Sequence, residues 1–138
     1  MSHPKSYLLM LALTITAMHL SSVESLTLAS GSIIVVNVLP AYLTIHCWSN
    51  TGNDLGTQTV LDRFTWNASI VAGRKNEVYT CDLGEGGLHG RFSLFDVARD
   101  WNKDRCGFRN FRCYWEVRTD GIYQYFSKSQ SFELQYRW

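Results

Sequence analysis

Hydrophobic and polar residues alternate with a period of two along most of the chain after Gly31, and this pattern predicts β-strands. The clearest example is FRCYWEVR at residues 111–118, in which every second residue from Phe111 onward is apolar. Successive side chains of a strand point to opposite faces, so Cys113 and Trp115 are expected on the core face. No stretch after Gly31 shows a convincing amphipathic-helix spacing of apolar residues. The pattern therefore predicts an all-β fold.

Strand signals fall at residues 33–38, 42–48, 58–61, 64–71, 76–83, 91–97, 111–118, 122–127 and 131–138. At this short spacing they predict an antiparallel β-sandwich of about eight strands, and a barrel is the alternative that periodicity does not separate from it. In the last segment we expect Phe132, Leu134, Tyr136 and Trp138 to share one face.

The first residues of the chain have a different character. Residues 8–20 (LLMLALTITAMHL) form a mostly apolar run behind Lys5 that is too short to cross a bilayer but suits a secretory signal. The small residues Val23 and Ser25 then predict cleavage within a few residues of Ser25. We expect a signal peptide at residues 1–25 and a single β-sandwich domain at residues 26–138, with a buried core helix as the alternative for the apolar run.

Composition and charge limit the classes of partner. The chain has 138 residues, of which 46% are hydrophobic and 14% aromatic, enough for a packed core. Thirteen Lys and Arg residues against 12 Asp and Glu residues give a net charge of +1, which argues against nucleic acid as a partner. No later segment approaches the length of an apolar membrane span, so we expect an exported protein without direct membrane insertion.

Four cysteines lie beyond the expected signal peptide, at Cys47, Cys81, Cys106 and Cys113. An even number in an exported chain predicts two disulfides, and the absence of Cys-x-x-Cys clusters disfavours zinc. Cys47 and Cys113 both fall on core-facing positions, which favours the pairs Cys47–Cys113 and Cys81–Cys106. Four cysteines allow three pairings, so the other two stay open.

The sequence contains one N-x-S/T sequon, Asn67-Ala68-Ser69. Such a sequon is an acceptor for N-linked glycans in the secretory pathway. Asn67 is therefore the predicted glycosylation site.

Candidate catalytic residues are few. Beyond residue 25 the histidines are His46 and His89, the number that a two-histidine ribonuclease needs to act on one phosphate. Asp96, Asp100 and Asp104 could imitate a glycosidase carboxylate pair, but their basic neighbours favour ordinary ion pairs. With no motif of a hydrolase, metalloprotease or P-loop enzyme present, we expect no catalysis, no cofactor, no metal and no small-molecule substrate.

Two polar loops are candidate recognition surfaces. Residues 98–109 combine charged and aromatic side chains, and exposed Trp and Arg are typical of contact surfaces. We predict a partner contact there. The loop Ser49–Thr57 ranks second. Its Asn and Asp residues indicate an Asx turn rather than a calcium loop. Alternatively, Trp101 and Phe108 cover the end of a sheet and the charges form a solvated rim. The predicted contact residues are Arg99, Asp100, Trp101, Lys103, Asp104 and Arg105.

Aromatic residues also occur at outward strand positions. They leave a carbohydrate-binding or defence module open as a further alternative.

The order and spacing of a set of residues across residues 33–138 resemble the plant self-incompatibility S-protein family, and most of all the stigmatic S proteins of poppies. These residues are Asn37, His46, Cys47, Ser49, Asp54, Leu55, Gly56, Cys81, the FSLFD segment at 92–96, Cys106, Cys113, Trp115 and the DGIY segment at 120–123.

This resemblance implies a small secreted β-sandwich with two disulfides. For a stigmatic member it also implies a ligand recognised by a transmembrane receptor protein on pollen. The expected consequence of a match is calcium signalling and arrest of the incompatible pollen tube.

Overall fold

The computed structural model describes residues 28–73 and 76–138, and the expected signal peptide lies outside these described residues. Nine strands and one short helix follow one another in this part of the chain. They are β1 (Ala29–Asn37), β2 (Leu43–Ser49), β3 (Asp54–Val60), β4 (Thr65–Ala72), β5 (Val78–Glu85), β6 (Leu88–Asp96), α1 (Val97–Asp100), β7 (Phe111–Arg118), β8 (Gly121–Phe126) and β9 (Ser131–Arg137).

The strands form two sheets. One has the strand order β4-β1-β7-β8-β9 and the other has the order β3-β2-β5-β6. Residues of both sheets contribute to one apolar core, so the predicted all-β sandwich is confirmed. Strand β1 pairs in parallel with β7, with Ile33 beside Cys113, whereas the other strand pairs in the described residues are antiparallel.

Aromatic residues fill the centre of the core. Trp115 on β7 is fully buried, and its indole Nε1 donates a 2.8 Å hydrogen bond to the carbonyl of Leu94 on β6 in the other sheet. The rings of Phe95 and Phe111 stack with centroids 4.8 Å apart. The alternation of residues 111–118 therefore correctly predicts which side chains of β7 face the core.

The last strand departs from the predicted alternation at one residue. Ile122 of β8 pairs with Tyr136 of β9 and the next residue, Tyr123, pairs with Leu134, so Gln135 is the extra residue of a β-bulge. Tyr136 consequently turns inward, where it stacks on Trp115. Phe132, before the bulge, packs on the outward ring of Tyr125. The expectation that Phe132, Leu134, Tyr136 and Trp138 share one face is wrong because a bulge shifts the side-chain phase by one residue.

The structure also corrects the predicted disulfide pairing. The bonds are Cys47–Cys81 and Cys106–Cys113, not Cys47–Cys113 and Cys81–Cys106. Cys47 and Cys81 are directly opposed on the antiparallel strands β2 and β5, with Cα atoms 4.0 Å apart. Cys113 also faces the core, but from the other sheet. The position on β5 directly opposite Cys47 supplies a cysteine within disulfide reach, whereas Cys113 lies in the other sheet and is bonded to Cys106.

The described residues hold no helix of the length and apolar character needed to cross a membrane.

Candidate functional site

The segment of residues 97–110 carries the chain from β6 in one sheet to β7 in the other. It begins with the single helical turn α1, whose N-cap is Asp96, and the Asp96 carboxylate accepts a 3.0 Å hydrogen bond from the backbone of Ala98. Asp is a favoured N-cap because its side chain satisfies a backbone donor of the first turn. We call residues 97–110 the crossover segment.

The carboxylate of Asp100 is the centre of this segment, and none of its surface is exposed. It accepts hydrogen bonds from the Arg99 guanidinium at 2.7 and 2.9 Å and from the Gln124 amide of β8 at 3.0 Å. The backbone amide of Asp96 donates a further bond of 2.9 Å. A buried charge is tolerated only when it is paired and hydrogen-bonded, and here four donor contacts meet that requirement.

The two arginines next to Asp100 extend the network. Arg99 also donates to the Tyr136 hydroxyl at 2.6 Å and to the Ser93 carbonyl at 3.0 Å. Burial by itself lowers the pKa of Arg99, but its hydrogen bond and charge interaction with Asp100 outweigh burial and raise the pKa above the ordinary value. Arg105 donates to the Gln124 side chain at 3.0 Å and lies over the ring of Phe126. These ionic contacts fix the crossover segment against both sheets.

Covalent and backbone contacts close the remainder of the segment. The Cys106–Cys113 disulfide joins its end to β7 across a separation of only seven residues. The Ser127 hydroxyl donates to the carbonyls of Lys103 and Arg105 at 2.9 and 3.2 Å, which ties the segment to the turn after β8. The crossover segment is therefore held in one geometry.

The predicted contact residues divide into two groups. Asp100 cannot touch a partner because it is fully buried, so its assignment to the contact surface is wrong, and Arg99 and Arg105 direct their guanidinium groups into the network. Lys103 is exposed, and Trp101 and Asp104 are half-buried.

Phe108 and Arg109 are exposed residues of the crossover segment that were absent from the predicted contact residues. Phe108 has 54% of its surface exposed and its neighbour Arg109 is also exposed. The Trp101 ring packs edge-on against Phe108, and its Nε1 donates to the Phe108 carbonyl. An apolar residue among charges after Gly107 is the sequence signal that identifies this pair. We call Trp101, Lys103, Phe108 and Arg109 the crossover surface.

The Ser49–Thr57 loop uses its polar side chains internally. The Ser49 hydroxyl accepts from the backbone amide of Asn53 at 3.0 Å, and the side-chain oxygen Oδ1 of Asn50 accepts from the backbone amide of Val78 at the same distance. The Asn53 side chain donates to the Tyr79 hydroxyl. The Asp54 carboxylate accepts a 2.8 Å hydrogen bond from the backbone amide of Gly56, two residues on, which supports the interpretation as a structural Asx turn. Across residues 28–73 and 76–138, no three His, Cys, Asp or Glu side chains are grouped as metal ligands.

His46 and His89 lie on the same outer face of the four-stranded sheet. Asp82 of the intervening strand β5 is paired in register with His46 on one side and with Arg91 on the other. His89 is paired with Gly84, two residues further along β5. The His46 ring contacts the Asp54 carboxylate at 2.9 Å, and Arg91 binds Asp82 at 2.8 Å. His46 and His89 are two strands apart, so their Cα atoms are separated by about 10 Å or more. The structure places the two histidines on one face, where the His46 ring is engaged by Asp54.

The candidate carboxylate pairs and the sequon have different environments. Asp96 caps α1 and Asp100 is buried among arginines, so neither carboxylate is presented to a substrate in the manner of a glycosidase pair. Asn67 is exposed on β4, an edge strand of the five-stranded sheet. A glycan at Asn67 therefore has room on the folded protein.

Comparison with known proteins gives one match. Residues 32–138 match the family described as plant self-incompatibility protein S1, a range that contains both disulfides and the crossover segment. Searches of curated proteins and of solved structures found no significant match.

Proposed function

This chain belongs to the plant self-incompatibility protein S1 family, and from that premise we propose that it is a secreted stigmatic ligand of the poppy type. Its partner is a transmembrane receptor protein on pollen. Recognition of a matching receptor causes calcium signalling and stops the incompatible pollen tube. The protein acts by binding and not by catalysis, and residues 1–25 direct its secretion. The two disulfides fit an extracellular location.

One observation carries the assignment of the receptor contact to the crossover surface. A buried ionic network and a short disulfide hold the crossover segment rigid, while Lys103, Phe108 and Arg109 are left exposed on it. A rigid scaffold loses little conformational entropy when its surface binds a partner. Aromatic side chains supply contact area, and exposed charges at the rim favour complementary receptors over others. Arg99, Asp100 and Arg105 support this surface from beneath, and Asp104 lies within its rim.

The test applies refolded residues 26–138 to pollen of known genotype and records calcium and tube length. We expect a calcium rise and arrest in matched pollen only, and no response to protein that has been reduced and alkylated. Arrest of every genotype, or of none, would contradict the proposal.

A parallel RNA hydrolysis assay separates binding from catalysis. We expect no hydrolysis by the protein, and we expect His46→Ala and His89→Ala to arrest matched pollen as the unchanged protein does. RNA hydrolysis that disappears in both variants together with arrest would identify a ribonuclease instead.

A further inference from the structure

A row of side chains crosses the outer face of the five-stranded sheet, with one residue from each strand. The row consists of Asn67 on β4, Ile34 on β1, Tyr114 on β7, Tyr125 on β8 and Phe132 on β9. Asn67 and Tyr114 are both in register with Ile34, and Tyr125 is in register with Phe132. The Tyr114 and Tyr125 rings are 6.3 Å apart and bridge the two halves of the row. The sequon asparagine and the aromatic rings therefore share one face.

The aromatic part of this row is half-exposed and forms a hollow. Tyr114, Tyr125 and Phe132 line an open depression of about 360 Å³. The rings of Tyr125 and Phe132 meet edge to face with centroids 5.3 Å apart. Such rings offer apolar surface together with hydroxyl groups at their tips.

A second row beside the first is polar. Ser69, Ser32 and Arg112 are in register on β4, β1 and β7, and they line a neighbouring groove of about 410 Å³. The two hydroxyl groups can donate and accept hydrogen bonds, and the guanidinium can donate them, next to an apolar strip. Sites for small polar molecules combine apolar walls with a few placed polar groups in this way. A sugar ring has matching chemistry, because its C–H face packs on aromatic rings while its hydroxyls form hydrogen bonds.

We propose that the N-linked glycan of Asn67 lies across this face, with its first sugars over Ile34 and against Tyr114 and with their hydroxyls bound by Ser32 and Arg112. Tyr114 is two strands from Asn67, a span of about 10 Å that a short glycan core can cross. The covalent link keeps the sugar at an effective concentration in the millimolar range, so weak contacts suffice.

The occupant is the chain's own glycan, because the glycan attachment site is itself a member of the row. Alternation along β4 places Asn67 and Ser69 together on the outer face, and both are exposed. The glycan covers part of the outer face of the five-stranded sheet and reaches the edge of the crossover segment, because Lys103 lines a depression together with Arg112 and Tyr114. This inference rests on secretion, which is part of the proposed function, and is independent of receptor recognition.

The first test determines whether the glycan is present and where it lies. The full chain is secreted from cultured plant cells fed ¹³C-labelled N-acetylglucosamine, and its mass is measured before and after peptide N-glycosidase treatment. We expect a mass loss that Asn67→Gln abolishes, and nuclear Overhauser contacts from the labelled sugar to the ring protons of Tyr114. An unglycosylated Asn67, or a labelled sugar without contacts to Tyr114, would overturn the proposal.

The second test asks whether the stabilisation by the glycan depends on the Tyr114 ring. The glycan should raise the melting temperature of the unchanged protein by about 2 to 4 °C, the size expected for one aromatic packing contact in a domain of this length. We expect Tyr114→Ala to abolish most of that increase and Tyr42→Ala, at a residue 64% exposed outside this face, to retain it. Equal increases in all three proteins would contradict the proposal.

Binding of free chitobiose to the Asn67→Gln variant with micromolar affinity would instead identify a site for external sugars. Neither test uses pollen, so a failed receptor assay leaves the result unaffected.

Discussion

The carboxylate of Asp100 accepts a 3.0 Å hydrogen bond from the side chain of Gln124, and both side chains are completely buried. Asp100 ends the single turn of α1, whereas Gln124 lies in β8, so the bond joins the crossover segment to the five-stranded sheet. The side-chain oxygen Oε1 of Gln124 accepts a 3.0 Å hydrogen bond from the Arg105 guanidinium. The exposed residues of the crossover segment are consequently positioned by groups that no partner can reach.

Asp100→Asn should destabilise the fold by about 3 kcal/mol, because it removes the negative charge that the partly buried Arg99 and Arg105 require. Asp104→Asn, in the same segment but outside the network, should cost less than about 0.5 kcal/mol. Urea unfolding followed by tryptophan fluorescence gives both values. Equal unfolding midpoints for the two variants would show that the network contributes little to stability.

Strand positions were predictable from sequence where alternation is uninterrupted. The predicted segment at residues 111–118 coincides with β7, and each of the other predicted segments overlaps an observed strand. The phase of β9 was not predictable, because the bulge at Gln135 leaves no mark in a pattern that still alternates apolar and polar residues. The polar residue at the inward position of β8, Gln124, was an available sign of a buried network that strand periodicity alone does not explain.

The disulfide pairing could not be predicted from the sequence for a related reason. Alternation reports that Cys47 and Cys113 face the interior, but it does not report which sheet each belongs to. Sheet membership depends on contacts between residues that are distant in sequence, such as the parallel pairing of β1 with β7. For the crossover segment, composition indicated a recognition surface, and only packing separates the buried Asp100 from the exposed Phe108.

Tryptic mapping of the non-reduced protein should find the peptide that contains Cys106 linked to the peptide that contains Cys113. Trypsin cuts after Arg105, Arg109 and Arg112, so these two cysteines are released on separate short peptides. The peptide ending at Arg63, with Cys47, should be linked to the peptide ending at Arg91, with Cys81. A linked pair that joins Cys47 to Cys113 would contradict the structure.

The two disulfides should differ in their contribution to stability. Bonds that close 34 and 7 residues are worth about 4 and about 2 kcal/mol in a chain-entropy treatment. We therefore expect the Cys47→Ser, Cys81→Ser double variant to unfold at a lower urea concentration than the Cys106→Ser, Cys113→Ser double variant. The reverse order would show that the Cys106–Cys113 bond stabilises the native packing of the crossover segment beyond its loop-closure effect.

Gly121→Ala should destabilise the protein by about 1 to 3 kcal/mol through overpacking. A Cβ atom at Gly121 would approach the backbone carbonyl oxygen of Tyr136, and backbone has little freedom to move. Gly87→Ala is the matched control, because a Cβ atom there meets nothing within 4 Å. Thermal unfolding should show a lower melting temperature for Gly121→Ala and almost no change for Gly87→Ala. Equal melting temperatures would argue against close packing of β8 on β9.

Acid should weaken the fold partly through Asp82. Its hydrogen bond from Arg91 holds the pKa of the Asp82 carboxyl below the ordinary value of 3.8. A depressed folded-state pKa gives stability that is complete well above pH 3.8 and is lost as the pH falls through the lower folded-state value. The Asp82 side chain is 29% exposed and Arg91 more so, so solvent screens the pair and its contribution to stability is small.

This pair can be isolated by comparing the unchanged protein with Asp82→Asn in urea from pH 6 to pH 2.5. We expect the unchanged protein to be the more stable at pH 6 and the difference to disappear toward pH 2.5. A difference that is constant over this range would assign it to packing and not to charge.

Phe108→Ala should raise the protein concentration required to arrest matched pollen by about tenfold or more. Truncation of a central aromatic contact commonly costs about 1 to 2 kcal/mol or more of binding free energy. Phe64→Ala is the matched control, because Phe64 is 61% exposed and lies between β3 and β4, outside the crossover surface. Neither truncation creates a core cavity, so both variants should unfold close to the unchanged protein, and calcium imaging then reports recognition alone. If Phe108→Ala and Phe64→Ala arrest matched pollen at the same concentration, the receptor contact lies elsewhere on the protein. The role of the buried Asp100 network would in that case be limited to stability.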